Sequence, residues 1–363
     1  MSKISVLGSG IMASALAFPL SDNGHEVRLV GTHLDREVID SIKESGIHPG
    51  LGLKLPETVS AYQLEEAEEA FEGADIAMSG VNSFGVHWAG EQLASLLKPG
   101  MMVIAVTKGM EADEEGNLRI LPDVLSEKVS QQIRDKVSWS AITGPAIAGE
   151  VAVRRDTCVV FTGREADTEA LEKLSGIFRT DYYHVWTNTD FTGCEACAAI
   201  KNCYAFGAGF MEGILDKEGK EGEQESRYRN YNYGAALFGQ ATRELGHWMM
   251  LLGGKPETPH GLAGVGDMFV TSMGGRNVKA GRFVGAGVPF SEVRDDRMRG
   301  VTLEGVAAIR VMGGALEKLT ERGLVREEDF PLMRHLYEVV AKDEPLDMPW
   351  ETFFGDGARM RAG

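Results

Sequence analysis

Cysteine is sparse in this sequence: Cys158, Cys194, Cys197 and Cys203 are the only four in 363 residues. Four cysteines in so long a chain do not make a disulfide framework. Cys194-x-x-Cys197 lacks a second ligand pair at zinc spacing and lies in an Ala-rich, helix-patterned stretch. It reads as small buried side chains, and no metal is expected. Basic residues are also short, 37 Lys and Arg against 54 Asp and Glu, for a formal charge of -17. A surface of that sign argues against general binding to nucleic acid or anionic membranes, so a phosphorylated substrate needs a local basic site. No apolar run approaches membrane-spanning length, and Met-Ser-Lys-Ile-Ser-Val enters a strand pattern without the regions of a signal peptide. No integral membrane segment is expected, and the protein is read as cytoplasmic.

What is present is an ordinary globular composition, 43% hydrophobic and 25% charged, in a chain long enough for two domains. Residues 3–7 read as a buried strand, followed by Gly8-Ser9-Gly10-Ile11-Met12-Ala13 and a helical run closed by Gly24. Strand, glycine turn and helix in immediate succession predict a dinucleotide site. Gly8 permits the turn, Gly10 lets a pyrophosphate approach the backbone, and Ala13 lets helix and strand pack closely, with the phosphate at the helix N-terminus. A second strand from His25 ends in Gly31 and Thr32, where an NAD-binding fold places an acid. Asp35 comes a few residues late, and His33 and Arg36 face a possible 2′-phosphate, so NADP is favoured over NAD.

Further strands are expected at 76–81, 102–107, 139–142, 157–161 and 183–186, with helices at 65–71 and 92–97. This alternation predicts a Rossmann-type doubly wound α/β sheet over residues 1–190. Thr107-Lys108-Gly109 and Thr143-Gly144-Pro145-Ala146 fall at strand C-terminal ends, where such sheets bind ligands. Beyond residue 190 helical patterns dominate, at 195–211, 235–252, 261–273, 301–322 and 330–341. An all-α domain over 191–363 follows, its core helix carrying a single cation, Lys201, in the apolar run 197–209. A buried ammonium is costly unless it meets an anion or loses its proton, which marks Lys201 for chemistry. Residues 216–233 read as a charged, solvated loop followed by a Tyr/Arg/Asn half able to fold over a ligand or partner subunit.

The motifs Gly8-x-Gly10, Asn23-Gly-His-Glu-Val27, Thr107-Lys-Gly109, Thr143-Gly-Pro145, Ile200-Lys-Asn202, Gly264-x-Gly-Asp267, Gly275-Arg-Asn277 and Leu303-Glu-Gly305 occur in that order over nearly the whole chain. In this the sequence resembles the NAD(P)-dependent glycerol-3-phosphate dehydrogenases, and most their archaeal and bacterial cytoplasmic branch. The resemblance implies an enzyme, an oxidoreductase acting on a CH-OH group and often a homodimer. It implies a catalytic lysine at Lys201, a second substrate lysine at Lys108, a carboxylate beside the reacting carbon at Asp267, and a phosphate-holding pair at Arg276 and Asn277. Gly144, Thr271 and Gly275 complete the implied substrate set. The implied cofactor set is Gly8, Ser9, Gly10, Ile11, Met12, Thr32, His33, Arg36, Lys108, Ala148, Arg276, Thr302 and Glu304.

The residue chemistry suits these roles. Ketone reduction by NAD(P)H needs a hydride for carbon and a proton for the developing alkoxide. Lys201 supplies the proton if desolvation and a neighbouring cation such as Lys108 tune it, and Asp267 balances and orients it. Arg276 offers a planar fork for a phosphate dianion and Asn277 an amide donor; the bland reading of Arg276 is a cation at a helix C-terminus. The chain departs from the family in Ala146 for the usual Ser or Thr, in Gly275 for the Ser of many bacterial members, and in the long 216–233 segment. Two other readings stand beside the first: a dehydrogenase of another polyol or sugar phosphate, and a catalytically silent dinucleotide sensor.

Overall fold

A computed structural model describes residues 1–218 and 230–354. They form two compact units: Met1–Lys108 with Ile120–Glu195, and Gly109–Arg119 with the described residues from Ala196 onward. The first unit begins β1 (Lys3–Leu7), α1 (Ile11–Ala15), α2 (Ala17–Asp22), β2 (Glu26–Val30), α3 (Arg36–Ser45), β3 (Ile47–His48), β4 (Leu53–Lys54), β5 (Val59–Tyr62), α4 (Ala67–Phe71), β6 (Ile76–Ser79), α5 (Val86–Leu96) and β7 (Met102–Ala105). A hairpin, β8 (Met110–Ala112) and β9 (Leu118–Ile120), leads to α6 (Leu121–Glu127), α7 (Gln131–Arg134), β10 (Ser138–Thr143), α8 (Ala148–Ala152), β11 (Thr157–Gly163), α9 (Thr168–Phe178) and β12 (Tyr183–Asn188).

The main sheet has eight strands in the order β12-β11-β10-β7-β6-β1-β2-β5. Its pairs are parallel except for β11, which runs antiparallel to β10. The central strands β1, β6 and β7 feed both faces, as the period of two demands. Ile4, Val6, Ile76, Met78 and Ile104 join one core with α1, α2, α3 and α9. Leu7, Ala77 and Val103 join the other with α4, α5 and α6. The chain reverses its direction across the sheet between β1 and β6, the switch point where such sheets bind ligands. Strands β6 and β7 end two residues earlier than the expected 76–81 and 102–107. The remaining residues turn into the ligand-facing loops, where the Thr107 hydroxyl donates to the Val81 carbonyl at 2.6 Å.

The second unit is helical apart from the β8–β9 hairpin: α10 (Phe191–Glu218, whose first five residues belong to the first unit), α11 (Tyr231–Leu252), α12 (Asp267–Ser272), α13 (Arg276–Gly285), α14 (Phe290–Glu292), α15 (Glu304–Glu321), α16 (Pro331–Ala341) and α17 (Trp350–Phe354). The hairpin rests on α15, with Arg322 donating to the Glu115 carbonyl at 2.8 Å. Asp190 opens α10 by accepting the Gly193 amide at 3.1 Å, a side-chain N-cap. The helix expected over 261–273 is broken: Leu262–Gly266 forms a π turn before α12 begins at Asp267. Gly264 explains the break, because its Cα lies so close to Pro259 that a Cβ would overlap that residue's backbone. Of the segment 216–233, residues 219–229 lie outside the described residues. Of its described part, Asp216 takes a two-pronged contact from Arg282 at 2.5 and 2.8 Å, and Tyr233 meets Trp350 edge-on at 4.9 Å.

Helix α10 is held by two devices. Small residues on both helices admit α13 to backbone contact: a Cβ on Gly281 of α13 would overlap the Phe206 carbonyl, and one on Gly209 of α10 the Val278 carbonyl. Tyr204 of α10 donates to Glu244 at 2.9 Å. The same buried carboxylate accepts Gln240 at 2.8 Å and the first amides of α16, Leu332 at 2.6 Å and Met333 at 3.0 Å. Helices α10, α11 and α16 thus meet at one anion, which also answers amides that α16 cannot satisfy itself. Replacing Gly281 with Ala must push α13 from α10 and is expected to cost about 2–4 kcal/mol. Urea unfolding measures this; an unchanged midpoint would show that the crossing tolerates a methyl.

Candidate active site

The cofactor end of the first unit is built from backbone. Gly8 has φ +104°, and a Cβ there would meet the Gly80 carbonyl carbon at 2.9 Å. Gly80 in turn lies against Ala13, where a Cβ would come within 2.5 Å. The three small residues bring the β1–α1 turn and the β6 loop to the closest approach the backbone permits. Gly10 leaves the turn open to a ligand, Ile11 is half exposed, and Met12 is partly buried against the core. The turn fits a dinucleotide pyrophosphate: only glycine fills it, and it stands at the sheet's switch point.

At the end of β2, Asp35 folds back rather than trailing away. Its Oδ2 accepts the Thr32 amide at 2.9 Å, the Thr32 hydroxyl at 2.8 Å and, at 3.4 Å, the Ser9 amide. Proximity in sequence hid this, because a carboxylate five residues past the strand still reaches back to its end. Arg36 pairs with Glu65 at 2.5 Å on the surface, and His33 stands edge-on to Trp88 at 5.5 Å. Lys108, after β7, donates to the Gly144 carbonyl at 3.0 Å, so the two expected loops meet above paired strands. Ala148 is the first residue of α8, in the same region of chain.

The second unit holds the charge-bearing side chains. Lys201, in α10, is 6% exposed and Asp267, at the start of α12, 0%. The ammonium donates to Asp267 Oδ1 and, at 2.7 Å, to the Thr271 hydroxyl, which donates in turn to the Asp267 carbonyl at 2.7 Å. Lys201 therefore faces a carboxylate, with Thr271 one turn along α12 completing the cradle. Arg276 and Asn277 open α13 just after Gly275, whose φ is +102°. Arg276 is thus at a helix start, which removes the reading of a C-terminal cation. It pairs with Glu304, the first residue of α15, at 2.7 Å. The Asn277 side-chain oxygen accepts the Gly305 amide at 3.0 Å, which leaves its NH2 for a ligand. Thr302 lies exposed just ahead of α15.

Glu195 was not singled out by the sequence reading. It sits on the first-unit end of α10, is 0% exposed, and neither carboxylate oxygen has a hydrogen-bond partner among the described residues. Burial pushes its pKa up to about 8, against the pull of Lys108 and with the push of Asp123. The contrast with Glu244 is instructive: equally buried, but with its donors in place, it is pushed only to about 7. The available signal was an acidic residue two positions ahead of the apolar, small-residue run 197–209 that drew attention to Lys201.

The first unit carries a glycine turn at a doubly wound switch point, and the second a buried lysine–carboxylate pair and an arginine at the start of α13; features of these kinds belong to nucleotide-dependent oxidoreductases. Family models agree with that class: residues 3–169 match the N-terminus, and residues 190–351 the C-terminus, of NAD-dependent glycerol-3-phosphate dehydrogenase. The chain belongs to this family. It is 34% identical over 296 residues to the NADP(+)-dependent glycerol-3-phosphate dehydrogenase of Archaeoglobus fulgidus, covering 82% of this chain and 84% of that one. It is 31% identical over 351 residues to a glycerol-3-phosphate dehydrogenase (NAD(P)+) of Streptococcus thermophilus, covering 95% of each. The crystal structure of glycerol-3-phosphate dehydrogenase from Coxiella burnetii superposes with a TM-score of 0.74 at 26% identity, covering 96% of each chain. The protein is an NAD(P)-dependent oxidoreductase of that family, and among the described residues no helix is long and apolar enough to cross a membrane.

Glu195 makes a pH-dependent contribution. Its folded pKa lies above the ordinary 4.5, so the fold prefers the neutral acid. That stability is complete below about pH 4.5 and is lost as pH rises to about 8. Across this window Glu195→Gln is expected to remove a slope of roughly 1 kcal/mol per pH unit. Melting curves at pH 5.5 and 8.5 test it: the variant should gain on the wild type at the higher pH, and parallel losses in both would contradict the assignment.

Proposed function

We propose that the protein interconverts dihydroxyacetone phosphate and sn-glycerol 3-phosphate, with Lys201 as general acid/base. The observation that carries this is the Lys201–Asp267–Thr271 cradle on the same helical unit as the Arg276–Asn277 pair. A bound nicotinamide supplies the hydride in the reduction and accepts it in the reverse direction. Lys201, held as an ammonium by Asp267 and Thr271, gives a proton to the oxygen that becomes the C2 hydroxyl, and recovers it in oxidation. Asp267 compensates the charge while that proton is in place; without it the buried ammonium would stand alone at a cost of several kcal/mol. Arg276 and the Asn277 amide take the phosphate. In the structure the guanidinium is engaged by Glu304 at 2.7 Å, a half-exposed pair that a dianion in bidentate geometry outcompetes. Lys108 is assigned to the substrate, in keeping with the family pattern.

Two substitutions separate these roles. Lys201→Met is expected to lower kcat by roughly 10²–10⁴-fold while NADPH still binds, as stopped-flow and fluorescence titration would show. Turnover at the wild-type rate would remove Lys201 from the chemistry. Arg276→Leu is expected to raise the KM for dihydroxyacetone phosphate by about 10- to 100-fold, the range for a lost charge-assisted bond, with a smaller effect on kcat.

For the cofactor we propose NADP over NAD. No acid stands at the C-terminal end of β2, where Val30 is followed by Gly31 and Thr32, and the Archaeoglobus fulgidus relative carries NADP(+) in its name. Arg36 is held only by a surface pair with Glu65, which yields easily to a 2′-phosphate. Asp35 weighs on the other side. Arg36→Ala is expected to weaken NADPH several-fold and to leave NADH unchanged; equal effects on both would return the preference to NAD.

A further inference from the structure

Ser9, between the two glycines of the cofactor turn, has no free choice of orientation. Its carbonyl accepts two hydrogen bonds, from the His48 imidazole at 2.8 Å and from the Ser14 hydroxyl at 3.3 Å. His48 ends β3, outside every element that carries a motif, yet it is only 2% exposed. A carbonyl can only accept, so Nε2 carries the proton; Nδ1 is then the acceptor for the Leu51 amide, which reaches it at 3.2 Å. Both ring nitrogens are thereby committed: one to the hairpin of β3 and β4, the other to the glycine turn. The hairpin also crowds the turn sterically. A Cβ at Gly50 would meet Ile11 at 3.0 Å and the His48 ring at 3.2 Å.

In a trans peptide the carbonyl and the following amide point in opposite directions. Fixing the Ser9 carbonyl therefore fixes the Gly10 amide, and aims it away from His48 toward the open side of the turn. We propose that His48 is a positioning residue for the cofactor: through the Ser9 carbonyl it holds the Gly10 amide in the orientation that receives the pyrophosphate. This rests on the reading that the Gly8–Gly10 turn is the dinucleotide seat. Preorganisation of this kind lowers the cost of binding rather than adding a contact, so its signature is in affinity and not in the chemical step. His48 touches no reacting atom.

Two side chains divide the imidazole's functions. Asparagine places its oxygen near the position of Nδ1 and keeps the Leu51 bond, but is too short to reach Ser9. Glutamine carries an amide donor to the reach of Nε2. Calorimetric titration of the full chain with NADPH, and separately with NADH, is expected to show His48→Asn weakened about three- to tenfold, the range of one net hydrogen bond. His48→Gln is expected within about twofold of the wild type, and the melting temperatures of the two unliganded variants should agree. The inference is overturned if His48→Asn binds as tightly as the wild type, or if both variants weaken equally, which would assign His48 to packing alone. Absence of binding by the wild-type chain would overturn the cofactor reading itself.

Discussion

The buried ammonium of Lys201 is the constraint around which the helical unit is arranged. An uncompensated cation at that depth costs several kcal/mol, so the fold must deliver an anion to it and hold both groups in register. Asp267 arrives because a π turn, forced by the close approach of Gly264 to Pro259, ends where α12 begins. Thr271, one turn on, ties the ammonium back to the same helix. The other side of the pair is fixed by the devices that hold α10: glycines that bring α13 to backbone contact, and the Glu244 carboxylate that joins Tyr204 to the start of α16. Because α13 begins with Arg276 and Asn277, the crossing that steadies the lysine also places that pair.

The sheet unit follows a different rule, in which backbone amides do the aiming and side chains restrain them. Gly8, Gly80 and Ala13 leave no room between turn, strand loop and helix. Ser9 is held at its carbonyl by His48 and Ser14 and at its amide by Asp35. Two buried glutamates show how strongly local donors govern charge in such interiors. Glu244 is met by two amides, a phenol and a carboxamide; Glu195 has no such donor among the described residues and is the more strongly pushed toward its neutral form. Its electrostatic neighbour Lys108 belongs to the loop that meets Gly144.

Legibility differed by element for physical reasons. Strands buried on both faces, such as Lys3–Leu7 and Met102–Ala105, announce themselves as continuous apolar runs. The helix Arg36–Ser45 buries only Ile39 and Ile42, and the edge strand Val59–Tyr62 has no fully buried residue, so neither stands out. Residues 261–273 carry a helical pattern but not a continuous helix, because a close backbone approach outweighs periodicity. Among site residues, Lys201, Asp267, Arg276 and the glycine turn were legible through charge or motif. His48 and Glu195 were not, and of Asp35 only its place was visible, not its return to Thr32 and Ser9, because no local pattern carries these contacts.

By itself the sequence determined the layered architecture and the chemical inventory, because these follow from periodicity, glycine spacing and the presence of a cation in an apolar helix. It determined which residues carry charge and which turns require glycine. The tertiary structure alone decided which groups answer one another: Asp267 for Lys201, Glu304 for Arg276, Asn277 for the start of α15, His48 for Ser9. The reason is geometric. A hydrogen bond or ion pair is set within a few tenths of an ångström by partners tens of residues apart, and no local pattern encodes that distance.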